Sequence, residues 1–302
     1  MIHYIKRKDL DVVKYDACIE NSLQSRVYAF SWYLDIVADN WDVLVLNDYE
    51  AVMPIPWRKK YGIKYVYQPL WILEIGVFSC DINLNLESFL NSLFARFKFV
   101  ACRLNSDNIF NANKEYLLDK QFQALSLVED YETIFNQFRK DRKKDLRKAA
   151  HLNLIENWND KSDKLIALFK NNVGKRTPNI LENDYVVLEK LIASCLEKKT
   201  GEILSIYDKD NYLVASGFFL INKGYVTILV SSTDFENRNN GANTFLIDRA
   251  IFKYQKNFKI FNFGGSSMQS IAKYFLSFGA ETKVYQYLKY HKLPFLLRLF
   301  KK

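Results

Sequence analysis

The same order of structural signals occurs twice along this chain of 302 residues. In each half, short apolar runs separated by turn residues lead into a segment with helical spacing, which leads into one more apolar run. The helical segments are 86–97 in the first half and 241–256 in the second. Strands combined with a crossover helix are typical of α/β proteins. The order therefore predicts two related α/β units in tandem.

A charged segment between the halves predicts the boundary between the two units. Helical spacing runs from Tyr131 to Ala150, and its second part is rich in Lys and Arg. The chain length suits two domains, since one domain usually spans about 100–200 residues. We therefore expect an N-terminal domain over 1–135, a basic helical connector over 136–150 and a C-terminal domain over 151–302.

The charge balance favours anionic partners. Lys and Arg number 43 against 34 Asp and Glu, which gives a formal net charge of +9. Such an excess suits nucleic acid, phosphorylated ligands or an acidic membrane surface, and charge alone does not choose among them. Hydrophobic residues make up 49% of the chain, which excludes a disordered or low-complexity protein.

The cysteines and histidines predict neither a metal site nor a disulfide framework. The cysteines lie far apart with no CxxC pair, and the histidines have no HExxH or HxH spacing. We therefore expect buried, reduced thiols and no metal. The residues concerned are Cys18, Cys80, Cys102, Cys195, His3, His151 and His291.

The sequence predicts a cytoplasmic protein. No apolar segment follows the basic residues 6–8, and no apolar run approaches the ~20 residues that a membrane span needs. The basic amphipathic segment 293–302 is compatible with weak contact to an anionic bilayer, or with packing back onto the sheet.

A polar loop with a glycine precedes the helical segment of the second half. Unpaired backbone N–H groups at a helix N-terminus, together with the helix dipole, bind phosphate. The loop 236–243 therefore predicts a site for the phosphates of a cofactor or donor, held by Arg238, Asn240, Gly241 and Ala242. A helix that merely has a glycine near its start and a solvated arginine explains the same residues.

The second half resembles the GNAT acyltransferase fold, and the loop 236–243 stands where GNAT proteins carry their phosphate loop. The stretch Phe261-Asn262-Phe263-Gly264-Gly265-Ser266, continued into 272–280, is similar to the signature of the FemABX peptidoglycan aminoacyltransferases. The basic segment 138–149 is similar to the segment that joins the two GNAT-like domains of that group. The resemblance implies two tandem GNAT-like domains with mixed sheets flanked by helices.

The same resemblance implies an acyltransferase that moves an acyl or aminoacyl group onto an amine, in cell-envelope or related biosynthesis. Its site would lie in the interdomain cleft. The donor would be acyl-CoA or aminoacyl-tRNA, with no bound cofactor, and the acceptor a small-molecule or lipid-linked amine. A noncatalytic binding module for an anionic ligand on a degenerate GNAT scaffold is the alternative. Nucleic-acid binding is a weaker third option, and we expect no DNA partner.

Four residues are candidates for the chemistry itself: a serine at a strand end, a tyrosine on a helix and either of two carboxylates. Ser231 ends a strand where the GNAT sheet splays and backbone donors stabilise an oxyanion, although a simple turn explains it equally well. GNAT enzymes protonate the leaving thiolate with a tyrosine at the position of Phe275, and Tyr274 lies one residue earlier. A shift of one residue turns a helical side chain by ~100°. Glu236, or Asp234, is the candidate base for the acceptor amine.

The chain departs from the family pattern at two further positions and lacks one element. Asn243 stands where the phosphate loop has a small residue, and Leu276 stands where Fem-like chains have a lysine. No sustained heptads occur over 152–302, so no coiled-coil arm for tRNA is expected.

Further residues are candidates for holding the substrates. Basic side chains of the connector and of the polar segment 174–179 would bind phosphates at the mouth of the cleft. Alternatively, the connector helix is merely solvated, with Asp141 paired to Lys144 and Asp145 to Lys148. Backbone after the strand 259–263 would approach a substrate, or a serine there would cap the next helix. The candidates are Tyr67, Gln68, Arg142, Arg147, Lys148, Arg176, Gly264, Gly265 and Ser266.

Overall fold

The chain forms two compact units of mixed α/β structure. The computed structural model describes residues 1–236, 238–265 and 268–293, with only the main chain of Arg238. The first unit comprises residues 1–120 together with the chain from Val284 on, and the second comprises 121–283. The second unit thus includes the segment 136–150. Most of the predicted tail, 293–302, lies outside the described residues.

The described residues of both units form strands and helices. The strands are β1 (Ile2–Lys6), β2 (Trp41–Leu46), β3 (Ala51–Lys60), β4 (Ile63–Val66), β5 (Phe78–Ser79), β6 (Phe99–Arg103), β7 (Leu117–Ser126), β8 (Ile155–Trp158), β9 (Gly201–Tyr207), β10 (Leu213–Asn222), β11 (Tyr225–Thr233), β12 (Ile260–Asn262) and β13 (Glu281–His291). The helices are α1 (Val12–Asn21), α2 (Ser31–Val37), α3 (Glu87–Arg96), α4 (Tyr131–Asn136), α5 (Lys140–His151), α6 (Ser162–Asn171), α7 (Glu182–Glu197), α8 (Ala242–Tyr254) and α9 (Gln269–Leu276).

Each unit contains a mixed sheet. In the first, the strand order is β1-β2-β3-β4-β6-β13, and β5 pairs with β3. In the second, the order is β7-β12-β11-β10-β9-β8. One pair in each sheet is parallel, namely β4 with β6 and β11 with β12, and the other described pairs are antiparallel. The sequence-based expectation of mixed sheets flanked by helices is confirmed.

Each sheet is completed by a strand that lies far along the chain from its partner. In the first unit, β13 pairs antiparallel with β6, with Tyr287 opposite Arg103 and His291 opposite Phe99. In the second unit, β7 pairs antiparallel with β12 and precedes every other strand of that unit. The sequence predicts neither the partner of β13 nor the strand β7.

The second unit has a core between α8 and the central strands. Apolar residues recur along one face of α8 at helical spacing, and Leu246 and Ile251 are fully buried. They belong to one cluster with Phe219 of β10 and Phe261 of β12, which are also fully buried. Burial of each such side chain contributes about 1.5–3 kcal/mol, so this cluster fixes α8 on the sheet.

The central strands β11 and β12 separate after a short stretch of pairing. Their parallel register covers three residue pairs and ends at Thr227 opposite Asn262, whereas β11 continues to Thr233. Against β10, the register of β11 shifts between Phe218 and Phe219, so Leu229 is bulged. A bulge bends its strand and increases the local twist. The splayed edge expected of a GNAT-like sheet is thus present after Thr227.

The helix predicted over 131–150 is broken into α4 and α5. Phe138 between them is buried, and the Arg139 N–H donates to the carbonyl of Ser277 at 2.9 Å. This tertiary hydrogen bond replaces an intrahelical one, which the local sequence pattern does not reveal.

The burial of the four cysteines agrees only in part with the prediction of buried thiols. Cys102 and Cys195 are buried, and burial raises the pKa of each thiol to about 12. Cys80 is exposed, so the prediction of a buried thiol is wrong there, and Cys18 is half-buried. Among the described residues, every helix is too short or too polar to cross a membrane.

Candidate functional site

A polar cavity lies within the second unit, where α5, the start of α8, α9 and the end of β11 come together. Its volume is about 550 Å³. Four of the residues singled out from the sequence, Arg142, Lys148, Gly241 and Tyr274, line this cavity. The other lining residues are Asp141, Lys144, Asp145, Thr233, Phe235, Asn239, Asn243 and Thr244.

The glycine before α8 is required by a close helix contact. Gly241 has φ +81°, and a Cβ on it would lie 2.4 Å from the main-chain oxygen of Asp145 in α5. Only a residue without a side chain allows the two helices to approach so closely. Gly241 therefore holds Asp145 against the first turn of α8, in addition to lining the cavity.

The other predicted phosphate-loop residues are placed differently. Asn240 accepts a hydrogen bond from the Ala242 N–H at 2.8 Å, and the Ala242 side chain is fully buried. Asn240 lines a separate cavity of about 390 Å³ together with His151. Arg238 lies in a short 3-10 helix, Arg238–Asn240. Phosphate binding by these residues remains a prediction.

A continuous chain of hydrogen bonds runs from the cavity wall into the interface of α5, α8 and α9. The amide Nδ2 of Asn243 donates to Tyr274 Oη at 3.0 Å, and that oxygen lies 3.2 Å from Thr244 Oγ1. Thr244 Oγ1 donates to Asp145 Oδ2 at 3.0 Å and accepts from Arg142 Nη1 at 2.8 Å. Arg142 Nη1 also forms an ion pair with Asp145 Oδ2 at 2.9 Å.

The environment keeps the Tyr274 phenol neutral. Burial raises its pKa above the ordinary value of 10.0, against opposing effects of the Thr244 hydrogen bond and the Arg142 charge. The Arg142 guanidinium carbon lies 4.6 Å from the centre of the Tyr274 ring. Burial thus disfavours the phenolate form of Tyr274.

The cationic side chains on α5 fall into two groups. Lys144 and Lys148, four residues apart, are exposed and line the cavity, and neither has an ion-pair partner within the described part of the chain. The predicted pairs Asp141–Lys144 and Asp145–Lys148 are wrong, since both carboxylates pair with arginines instead. The Arg142 guanidinium contacts both carboxylates, and its side chain is only 13% exposed. Arg147 is exposed on the same helix.

The end of β11 forms another wall. Thr233 lines the cavity, and Ser231 lies two residues earlier, hence on the same face of the strand. Ser231 is opposite Gly217, where an added Cβ would lie 3.3 Å from Leu246 of α8, so this face is turned towards α8. Glu236 is exposed, and its N–H donates to Asp234 Oδ1 at 3.1 Å.

Arg176 and the glycines after β12 are further residues that the sequence predicts to contact the substrate. Arg176 is exposed and stacks on Phe235, with its guanidinium carbon 3.9 Å from the ring centre. Gly264 and Gly265 have φ of +80° and +77°, and a Cβ on Gly264 would lie 2.6 Å from the main-chain oxygen of Ile228. The glycines thus let the chain turn away after β12 while it still passes close to β11. Ser266 lies outside the described residues.

The first unit contains the two candidates for an acceptor wall. Tyr67 Oη accepts from the Asp39 N–H at 2.9 Å, the guanidinium of Arg58 lies 4.1 Å from its ring centre, and burial raises its pKa to about 12. Gln68 accepts from the Arg103 N–H at 2.9 Å and donates to the Ile72 carbonyl at 2.5 Å. Both amide ends of Gln68 thus bind the main chain, and an acceptor contact stays a prediction for both residues.

Sequence reasoning missed the residues that connect the predicted ones. From the sequence, Asn243 is noted only as a departure from the family pattern, and neither Thr244 nor Asp145 is predicted to be a site residue. The i, i+3 spacing of Arg142 and Asp145 indicates one helix face. No local signal places that face against Thr244, because the contact joins segments about a hundred residues apart in the chain.

Comparisons with known proteins give the fold. No family model and no curated protein sequence matches the chain. The chain is similar to the crystal structure of FemX, with a TM-score of 0.67 and 9% identity over 99% of each chain. It is also similar to the C-terminal domain of a protein assigned as a lysylphosphatidylglycerol synthetase of Agrobacterium fabrum, with a TM-score of 0.59 and 11% identity over 96% and 95% of the two chains. A tandem GNAT protein from the clavulanic acid pathway matches with a TM-score of 0.52 and 7% identity over 97% and 100%. The FemX-like, tandem GNAT fold implied by the resemblance is confirmed.

Proposed function

We propose that this chain is an acyltransferase that moves an acyl or aminoacyl group from an activated donor to an amine acceptor in cell-envelope biosynthesis. One observation carries the proposal: a tyrosine hydroxyl in a hydrogen-bonded chain stands at a cationic cavity beside the splayed edge of β11. The FemX and lysylphosphatidylglycerol synthetase neighbours support aminoacyl transfer in particular. The donor, acyl-CoA or aminoacyl-tRNA, would occupy this cavity.

The residues of the cavity supply binding and polarisation. Lys144 and Lys148 would contact phosphates of the donor, since ammonium groups bind phosphate through charge-assisted hydrogen bonds. Beyond Thr227, the edge of β11 towards β12 has no strand partner among the described residues. Backbone N–H groups on that edge, near Ser231, would stabilise the oxyanion that forms when the amine attacks the donor carbonyl.

A noncatalytic binding module is the second candidate, and one contact favours it. Phe275, at the position of the GNAT tyrosine, stacks on Phe263 with ring centres 4.7 Å apart. The side chain is therefore packed against the core and has no proton to give. A module of this kind would bind the anionic donor in the same cavity without transferring its acyl group.

Thermal unfolding with each donor tests the function. We expect acetyl-CoA, or tRNA charged with a mixture of labelled amino acids, to raise the midpoint, since ligand at 100 times Kd contributes about 2.7 kcal/mol. The double variant K144A/K148A should abolish most of this shift. K140A is the matched control, because Lys140 is an exposed lysine on the same helix outside the lining of the cavity.

Release of labelled acyl amide in the presence of small amines separates the two candidates. Transfer supports the enzyme, whereas a donor-induced shift without transfer supports the binding module. If neither donor changes the unfolding midpoint or yields amide, both candidates are wrong.

A further inference from the structure

We propose that Tyr274, Thr244 and Asp145 form a proton relay that carries the proton of the acceptor amine out of the cavity during acyl transfer. The inference rests on the proposed acyltransferase function and assigns the base of that reaction. It replaces Glu236 as the candidate base, since Glu236 is exposed and does not line the described cavity.

The direction of the relay follows from which groups can donate. Arg142 donates to Thr244 Oγ1 and cannot accept, while the ionised carboxylate of Asp145 accepts and cannot donate. The single hydroxyl proton of Thr244 is therefore committed to Asp145. The contact of 3.2 Å between the two hydroxyls then requires the proton of Tyr274 to point towards Thr244.

The phenolic oxygen is left with an acceptor site. Asn243 Nδ2 donates to that oxygen at 3.0 Å, which uses one lone pair. A hydroxyl oxygen has two lone pairs, so the second can take a donor from the cavity that Tyr274 lines, in competition with the Arg142 guanidinium, whose hydrogen bond and charge lower the pKa of the phenol. An amine in the cavity is a donor of this kind. In this arrangement Tyr274 accepts a proton from the cavity first, instead of protonating a leaving group first.

The reaction then balances in two stages. The amine nitrogen attacks the donor carbonyl, a C–N bond forms, and the nitrogen proton moves to Tyr274 Oη. The phenolic proton moves to Thr244 Oγ1 in the same step, and the threonine proton moves to Asp145. When the bond from carbon to the leaving oxygen or sulfur breaks, that atom keeps the electron pair and the relay returns the proton to it.

The charges around Asp145 fit the role of terminal acceptor. On its own helix, Arg142 contacts it, Lys144 and Lys148 line the same cavity, and Asp141 lies one turn earlier. The groups that reach the cavity from α8 and α9 are the neutral side chains of Asn243, Thr244 and Tyr274. The raised pKa of Tyr274 keeps its phenol protonated between turnovers.

The test compares T244V, T244S and D145N with two amines as acceptors. Both amines attack as free bases, and the nitrogen must then lose a proton. The cationic nitrogen formed from hydroxylamine, the weaker base, loses that proton more readily than the one formed from ethanolamine, so transfer to hydroxylamine depends less on a general base. Acetyl-CoA and charged tRNA serve as donors in parallel. We expect T244V and D145N to lower transfer to ethanolamine about 10²-fold or more, as loss of a general base does. In the same variants, the fold-loss of transfer to hydroxylamine should be at least ten times smaller than the fold-loss of transfer to ethanolamine.

Rescue and folding controls keep the test specific. T244S retains the hydroxyl and should restore transfer to within a few-fold of the wild type. Unfolding midpoints and donor-induced shifts show whether T244V still folds and binds. If the wild type transfers to neither amine, the acyltransferase function fails and the relay with it. If the wild type transfers but T244V and T244S behave alike, or both amines lose equally, the relay alone is wrong.

Discussion

A chain that ends at Lys283 is expected to lose the folded structure of its first unit while its second unit stays folded. The missing strand β13 supplies five residue pairs to the ladder with β6. Leu288 is fully buried, and the Tyr290 ring stacks on Phe94 with centres 4.1 Å apart. Gln286 also bonds both main-chain groups of Phe110. The loss should exceed about 5 kcal/mol, which is the whole stability of many domains.

Hydrogen exchange measured by mass spectrometry resolves the two units in this experiment. Amides of β2 and β3, residues 41–60, should exchange at the rate of an unfolded chain, whereas β9 and β10 keep their protection. Two single substitutions calibrate the effect: L288A should cost about 2–5 kcal/mol, and V284A, at a position 52% exposed, very little. Retained protection over 41–60 in the shortened chain would show that the first unit does not need β13.

The pairing of β13 with β6 and the strand β7 could not be predicted from the sequence. Local periodicity places α3 within a residue and α8 within two residues of their observed bounds, because both helices bury a regular apolar face. β7 escapes detection because its first half is not buried and includes the charged residues Asp119 and Lys120. Which strand pairs with β6 depends on contacts nearly 200 residues apart, for which a single sequence carries no signal.

The candidate site shows a similar division. The sequence gives reasons to single out Arg142, Lys148, Gly241 and Tyr274 one by one, and all four line one cavity. Two departures from the family pattern, Asn243 and Tyr274, turn out to be hydrogen-bonded to each other. The turn of ~100° that separates Tyr274 from the family position directs its hydroxyl towards α8. Helical periodicity predicts the rotation of Tyr274 relative to position 275, but it does not predict that Asn243 is its hydrogen-bond partner.

Replacement of the glycine before α8 is expected to damage both stability and transfer. In G241A, the new Cβ would meet the main-chain oxygen and carbon of Asp145 at 2.4 and 3.1 Å. Main-chain atoms of a helix cannot move aside as a flexible side chain can, so α5 must shift. We expect the free energy of unfolding to fall by about 1–2 kcal/mol because an L-residue stands at positive φ. The forced contact should lower it by a further ~1–3 kcal/mol.

G224A separates these two costs, because Gly224 has a similar φ of +83° and an added Cβ there would make only ordinary contacts, the nearest at 3.8 Å. Urea unfolding of both variants measures the difference, which should be at least ~1 kcal/mol in the direction of a less stable G241A. A shift of α5 also moves Asp145 relative to Thr244, so transfer to ethanolamine should fall in G241A and not in G224A. Equal losses of stability in the two variants would mean that α5 moves aside without cost. The close contact of Gly241 with Asp145 would then not determine the position of Asp145.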